Sequence, residues 1–172
     1  ASPLTGSATT LAGALPCAAP PTQPTNLQFS NVGLNSITGT FTAAANTNEY
    51  LIVRSLSSTF SGTLNNGTTY NGGNVLGNGS VVTRTAANTF TANNLVSGTT
   101  YYFYVFGLNN QNCTSGPVYN SISPLSNNIS TTSLPTCVTP TAQATNLNIT
   151  ISNTSSVGYF FIISLSPASV IS

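Results

Sequence analysis

Charge is what this chain lacks. Arg54, Arg84 and Glu49 are the only formally charged side chains among 172 residues, and there is no histidine. General acid–base catalysis needs a group that titrates near working pH, and a metal site needs a convergent set of carboxylate, imidazole or thiolate ligands. Glu49 and three cysteines supply neither. A serine nucleophile lacks its histidine base, a glycosidase lacks its second carboxylate, and a phosphate site lacks a lysine-bearing glycine-rich loop. The expectation is a protein that is not an enzyme, with no cofactor and no metal. Two arginines neutralise too few phosphates for nucleic-acid binding. No apolar run approaches the roughly 20 residues of a membrane-spanning helix, so no membrane insertion is expected.

What is present is enough to build a core. Hydrophobic residues make up 40% of the chain, with eight Phe and seven Tyr, whereas disordered chains are poor in aromatics and rich in charge. The polar surface must then be Asn, Thr and Ser. A net charge of +1 gives little self-repulsion, so the protein should accept close neighbours. With a single side-chain carboxylate, stability is expected to be nearly flat from about pH 3 to 8.

Gly, Pro and Asn punctuate the chain every eight to twelve residues or so, an all-β rhythm. Between the turns lie candidate strands at 26–30, 36–42, 50–55, 80–83, 88–91 and 99–108, with a late strand somewhere in 118–132. In 101–106, period two puts Tyr101, Phe103 and Val105 on one face and Tyr102, Tyr104 and Phe106 on the other. Both faces are apolar, which predicts a central strand. Asn66-Gly67, Asn71-Gly72 and Asn78-Gly79 favour tight turns because Asn and Gly accept positive φ; they are expected to fold 56–80 back on itself.

The chain also repeats itself. Leu15-Pro16-Cys17 through Thr25-Asn26-Leu27 reappears about 120 positions later as Leu134-Pro135 and Cys137 through Thr145-Asn146-Leu147. In the same register Pro20 maps to Pro140, Gln23 to Gln143, Ser36 to Ser156 and Phe41 to Phe161. Residues 1–14 then read as the last strand of a preceding or neighbouring domain, 15–133 as one complete domain, and 134–172 as the start of the next repeat. Exposed strand edges at such cuts invite pairing with a neighbour.

Leu95-Val96-Ser97-Gly98-Thr99-Thr100-Tyr101 resembles the L-x-P-G-T-x-Y signature at the sixth strand of fibronectin type III domains, with Ser97 in place of proline. Ser36-Ile37-Thr38-Gly39-Thr40-Phe41 is similar to that family's second strand, with Phe41 where Trp is usual, and Tyr50-Leu51-Ile52-Val53-Arg54 to its third. Pro24-Thr25-Asn26-Leu27 fits its opening. The wording of the repeat, including Gly116-Pro117-Val118-Tyr119 and Ser123-Pro124-Leu125, is similar to tandem domains of large secreted surface proteins in Bacteroidetes-like bacteria. The resemblance implies an all-β, immunoglobulin-like sandwich whose core includes Leu27, Ile37, Phe41, Ile52, Leu95, Tyr101, Phe103 and Val105, lengthened by an insertion near 56–80. In that topology the loop after the sixth strand lies at the same pole as the N-terminus. This implies a disulfide between Cys17 and Cys113, with Cys137 left for a partner in the rest of the next domain. Disulfides place the chain outside the cytoplasm, on a cell surface or in a secreted filament.

Asn-x-Ser/Thr sequons at Asn66, Asn78, Asn112, Asn128, Asn148 and Asn153 are candidate glycosylation sites. Glu49 and Arg54 flank one strand and read as structural, bonded to each other or to a neighbour. Tyr70 and Tyr119 could stack on a sugar, but packing on their own domain is the stronger expectation. The leading function is structural: an extracellular filament, stalk or adhesin of tandem immunoglobulin-like modules, whose partners are copies of itself or adjacent repeats, assembled through strand addition. The alternative is a glycan-binding or spacer module of a secreted enzyme.

Overall fold

A computed structural model of the protein describes residues 13–138, 147–151 and 161–165. Every regular element described is a strand: β1 (Thr25–Ser30), β2 (Ile37–Thr42), β3 (Glu49–Ser55), β4 (Val75–Leu76), β5 (Gly79–Thr85), β6 (Thr89–Ala92), β7 (Thr100–Asn109), β8 (Val118–Tyr119), β9 (Leu125–Ser130), β10 (Leu147–Ile151) and β11 (Phe161–Leu165). No helix among the described residues is long and apolar enough to cross a membrane. The expected segment 1–14 falls almost wholly outside the described residues.

Two antiparallel sheets face each other. One has the order β1-β2-β6; the other runs β4-β5-β3-β7-β8, with β9 also on β7. The arrangement follows from side-chain periodicity. In β2, Ile37, Gly39 and Phe41 point inward and are buried while Thr40 and Thr42 face solvent. Gly39 is required here, because a Cβ would lie 2.3 Å from the Phe90 ring on the paired strand. Leu27, Ile37, Phe41, Ile52, Leu95, Tyr101, Phe103 and Val105 are buried in one cluster between the sheets, together with Tyr50, Phe90 and Ala92. Each such large side chain contributes about 1.5–3 kcal/mol of burial.

β7 is central, flanked by β3 and by β8 and β9. Its second face is covered by the 56–78 segment, which does more than fold back at the β4–β5 hairpin: it crosses the outer face of the larger sheet like a strap. Leu51, Val53, Tyr104, Phe106 and Leu108 from the sheet pack there with Tyr70, Leu76 and Tyr119, and Phe60 and Leu64 seal the edge. Phe60 lies 5.3 Å from Tyr104 and 5.4 Å from Phe106, ring centre to ring centre.

Two expectations change in detail. The late strand is divided into β8 and β9, because Ser123 takes a positive φ and Pro124 has no N–H to offer a ladder. Of the expected glycine turns, Gly67 takes positive φ as anticipated, whereas the other two shift: positive φ falls on Gly73 and Gly77 in place of Gly72 and Gly79, and Gly79 is already paired in β5.

The chain divides between Leu134 and Pro135 into two compact units. In the second, β10 and β11 form an antiparallel pair from Leu147 opposite Leu165 to Ile151 opposite Phe161.

Candidate functional site

The most heavily engineered part of the surface, in hydrogen bonds, is the segment leading into β1. Cys17 and Cys113 form a disulfide spanning 96 positions, with their Cα atoms 4.8 Å apart. Beside it the Cys17 N–H donates to the Thr114 carbonyl (2.8 Å) and the Thr114 N–H to that of Leu15 (2.9 Å). Gln23 grips the other end: its Nε2 donates to the carbonyls of Asn120 (2.7 Å) and Ile122 (3.0 Å), and its Oε1 accepts the Gly107 N–H (3.0 Å). Asn109 Nδ2 donates to the carbonyls of Ala18 and Asn46, and Asn120 Nδ2 to that of Pro20. Pro20 is buried against β7 at Gly107, where a Cβ would sit 3.5 Å from the Pro20 ring and 3.2 Å from Thr47. Primary amides donate and accept at once, so they tie an extended backbone segment down without charge. Closing a loop of this length restricts the unfolded chain by about 4–5 kcal/mol in the chain-entropy account.

Tyrosine hydroxyls fasten three further loops. Tyr50 accepts the Ala44 N–H, Tyr70 that of Asn65 and Tyr101 that of Val96, each reaching back five or six residues. The Tyr101 bond is the tyrosine corner of immunoglobulin-like sandwiches. The sequence placed Tyr101 in the core but gave no sign of the hydroxyl bonds of Tyr50 or Tyr70, nor of the parts played by Asn109 and Asn120. Only Gln23 carried a signal, its recurrence as Gln143.

Glu49 pairs with Arg84, not with Arg54. Five positions along one strand put Glu49 and Arg54 on opposite faces, while the β3–β5 register sets Arg84 opposite Leu51, on Glu49's face. The hydrogen bond that Arg84 donates to Glu49 raises the Arg84 pKa above its ordinary value, against a smaller lowering from burial. Arg54 instead lies over the Tyr101 ring at 5.8 Å and donates to the Asn93 carbonyl. These two side chains help line a cleft of about 450 Å³ with Leu56, Val75 and Val96. Tyr70 and Tyr119 are buried edge to face at 5.7 Å, so neither offers a free ring to a sugar. Burial raises the Tyr119 phenol pKa, with nearby Arg84 partly opposing it, and burial likewise raises that of Tyr104.

The sequon asparagines are scattered. Asn66 and Asn78 lie on the strap with their side chains hydrogen-bonded; Asn112 is exposed next to the disulfide and Asn128 is exposed on β9. Asn148 is in β10, and Asn153 lies outside the described residues. Cys137 is exposed and free. Among the described residues no three His, Cys, Asp or Glu side chains gather into a possible metal site.

Solved structures similar to the chain are fibronectin type III and related β-sandwich domains. A computer-redesigned β-sandwich protein matches at 18% identity over 69% of this chain and 97% of its own, with a TM-score of 0.46. The fn3 domain of the human collagen α-1(XX) chain matches at 14% identity over 76% of this chain and 100% of its own, also at 0.46. Domains from titin match at 18% identity over 67% of this chain, with a TM-score of 0.43; there the match spans 33% of the titin chain. No protein-family model matches the sequence, and no curated protein does.

Proposed function

We propose that the chain is a structural segment of an extracellular filament or cell-surface stalk, of the kind bacteria display, built from tandem immunoglobulin-like modules. The observation that carries this reading is that the residues recurring about 120 positions on include the ones that clamp the leading segment. Cys17, Pro20 and Gln23 hold that segment to its module through the disulfide, the Gly107 contact and the Gln23 bonds, and their counterparts are Cys137, Pro140 and Gln143. A linker bonded along its length has few free dihedrals, which stiffens a junction between modules. The β10–β11 pair supports the same reading, since β10 opens at Leu147, the counterpart of Leu27 in β1, and pairs antiparallel with the next strand as β1 does with β2. Cys137 then takes the place of Cys17 and forms its bond with a cysteine of the module it opens.

The partners are copies of the same protein or adjacent repeats, joined by strand addition at residues 1–14, and the near-neutral surface permits their close approach. A glycan-binding module is less well served, because both candidate sugar-stacking tyrosines are buried. Electron microscopy of the native material, with averaging along any fibre, tests the proposal. A regular fibre whose subunits exchange strands across 1–14 and 137–172 is expected. Isolated beads, or no fibre, would return the chain to the role of a spacer.

A further inference from the structure

We infer that Asn71 is a site of spontaneous covalent modification: deamidation through the Gly72 nitrogen, at a rate the fold denies to the other two Asn-Gly pairs. The chemistry is intrinsic to Asn-Gly. The backbone nitrogen of the glycine attacks the asparagine Cγ, a C–N bond forms, and the side-chain amide leaves as ammonia, taking the proton the glycine nitrogen gives up. Solvent water then opens the resulting succinimide at either carbonyl, leaving aspartate or isoaspartate. Two conditions govern the rate in a folded protein: the side-chain amide must be free to turn toward the next nitrogen, and that nitrogen must be free of the backbone hydrogen bonds that hold it in place.

The chain has three Asn-Gly pairs, and the fold treats them differently. At Asn66-Gly67 both partners are held, since Asn66 Oδ1 accepts the Tyr119 N–H (3.0 Å) and the Gly67 N–H donates to the Pro117 carbonyl (2.8 Å). At Asn78-Gly79 the amide is held twice, by Nδ2 on the Thr59 carbonyl (2.7 Å) and by the Ser61 N–H on Oδ1 (3.1 Å). Gly79 is itself buried and paired with both Ser55 and Leu76. At Asn71-Gly72, among the described residues, neither the Asn71 side-chain amide nor the Gly72 N–H has a hydrogen-bond partner, although the Asn71 backbone N–H donates to Asn74 Oδ1, and both residues are exposed. The turn around them is held, by that Asn71 N–H bond (2.8 Å), the Asn74 N–H on the Asn71 carbonyl (3.0 Å) and the Gly73 N–H on the Val81 carbonyl (2.8 Å), so it is the Asn71 side chain and the Gly72 nitrogen alone that are left without a bond to break before they meet.

The consequence is large for so neutral a protein. One carboxylate at position 71 cancels the formal net charge of +1 and doubles the number of acidic side chains. It also arises beside Tyr70, which pins the strap against Tyr119, and an isoaspartate there lengthens the backbone of a turn closed by the Asn74 N–H on the Asn71 carbonyl (3.0 Å).

The test is to incubate the intact protein at mildly alkaline pH and 37 °C and to follow amide-to-acid conversion by mass spectrometry of chymotryptic peptides, the two arginines being too few for trypsin. The same chain, reduced and denatured, serves as the reference for unprotected reactivity. Conversion at position 71 is expected at a rate within a few-fold of the denatured chain, with Asn66 and Asn78 slowed about tenfold or more by the hydrogen bonds that must open. Asn71→Gln should abolish the early acidic species seen by isoelectric focusing. Equal rates at the three sites, or earlier conversion at Asn66 or Asn78, would overturn the assignment, as would an early acidic species that persists in Asn71→Gln.

Discussion

Among the described residues, the unit ending at Leu134 has two cores that share the same strands. The inner one lies between the sheets and joins Phe41, Ile52 and Phe103 with side chains drawn mainly from strands. The outer one lies on the far side of the larger sheet and completes itself with Phe60, Leu64 and Tyr70 from irregular chain. Sheet-on-sheet packing buries backbone whose hydrogen bonds are already made in ladders. The strap has a ladder only at β4, on β5, and backbone bonds from Gly67 and Gly73 to the carbonyls of Pro117 and Val81; elsewhere it must satisfy its polar groups locally. It does so with side chains: Asn78 with Thr59 and Ser61, Asn74 with Asn71, and the Tyr70 hydroxyl with Asn65. The abundance of short polar residues in 56–74 is therefore the means by which an insertion covers an apolar sheet face along a path that is not a strand.

The difference predicts separate stabilities. Phe103→Ala, at the centre of the inner core, should cost about 3–5 kcal/mol and lower protection of amides in both sheets together; hydrogen exchange that changes only near β7 would break the comparison. Tyr70→Ala should cost less, about 2–3 kcal/mol, by undoing the Tyr119 contact and freeing the strap. Exchange should then rise in 56–78 while the ladder between β1 and β2 keeps its protection, and a uniform rise would mean that the two cores melt as one. Removing a single hydroxyl is a smaller change in either core: Tyr101→Phe leaves the Val96 N–H, and Tyr70→Phe the Asn65 N–H, without its acceptor, and since both donors belong to exposed residues each should cost about 1 kcal/mol. A shift in denaturant midpoint worth about 3 kcal/mol or more for either would contradict this.

The smallest effect is with pH. Burial raises the pKa of Tyr104 and Tyr119, both in the outer core. A raised folded pKa gives a contribution that is complete below the ordinary tyrosine value of about 10 and is lost as pH rises through the higher folded value. The denaturant midpoint should fall above about pH 10, in step with phenolate absorbance from the unfolded chain. A midpoint unchanged up to pH 11 or so would remove this term.

The inner-core residues were expected through the resemblance of segments such as Ile37-Thr38-Gly39-Thr40-Phe41 to fibronectin type III strands, and the alternation of those strands is what buries them. β7 was legible as central because both its faces are apolar. The outer core was not, since Phe60, Leu64 and Tyr70 sit at no fixed period and belong together only through the path of the strap. The Glu49 partner was unreadable for a similar reason: proximity along the chain suggested Arg54, but pairing across strands is set by the β3–β5 register. The amide clamp was half visible, through the recurrence of Gln23, while Asn109 and Asn120 look like any of the chain's many asparagines until the backbone carbonyls they serve are in place.

By itself, then, the sequence determined an all-β chain with three charged side chains, the faces of its strands and a repeat, because composition, alternation and self-similarity are properties of the order of residues. Tertiary structure alone decided which loop covers the outer sheet face, which arginine meets Glu49, which amides hold the leading segment and which Asn-Gly pair is left free. Those depend on contacts between residues far apart in the chain, and they arise only once strand register and loop path bring the partners within hydrogen-bonding reach.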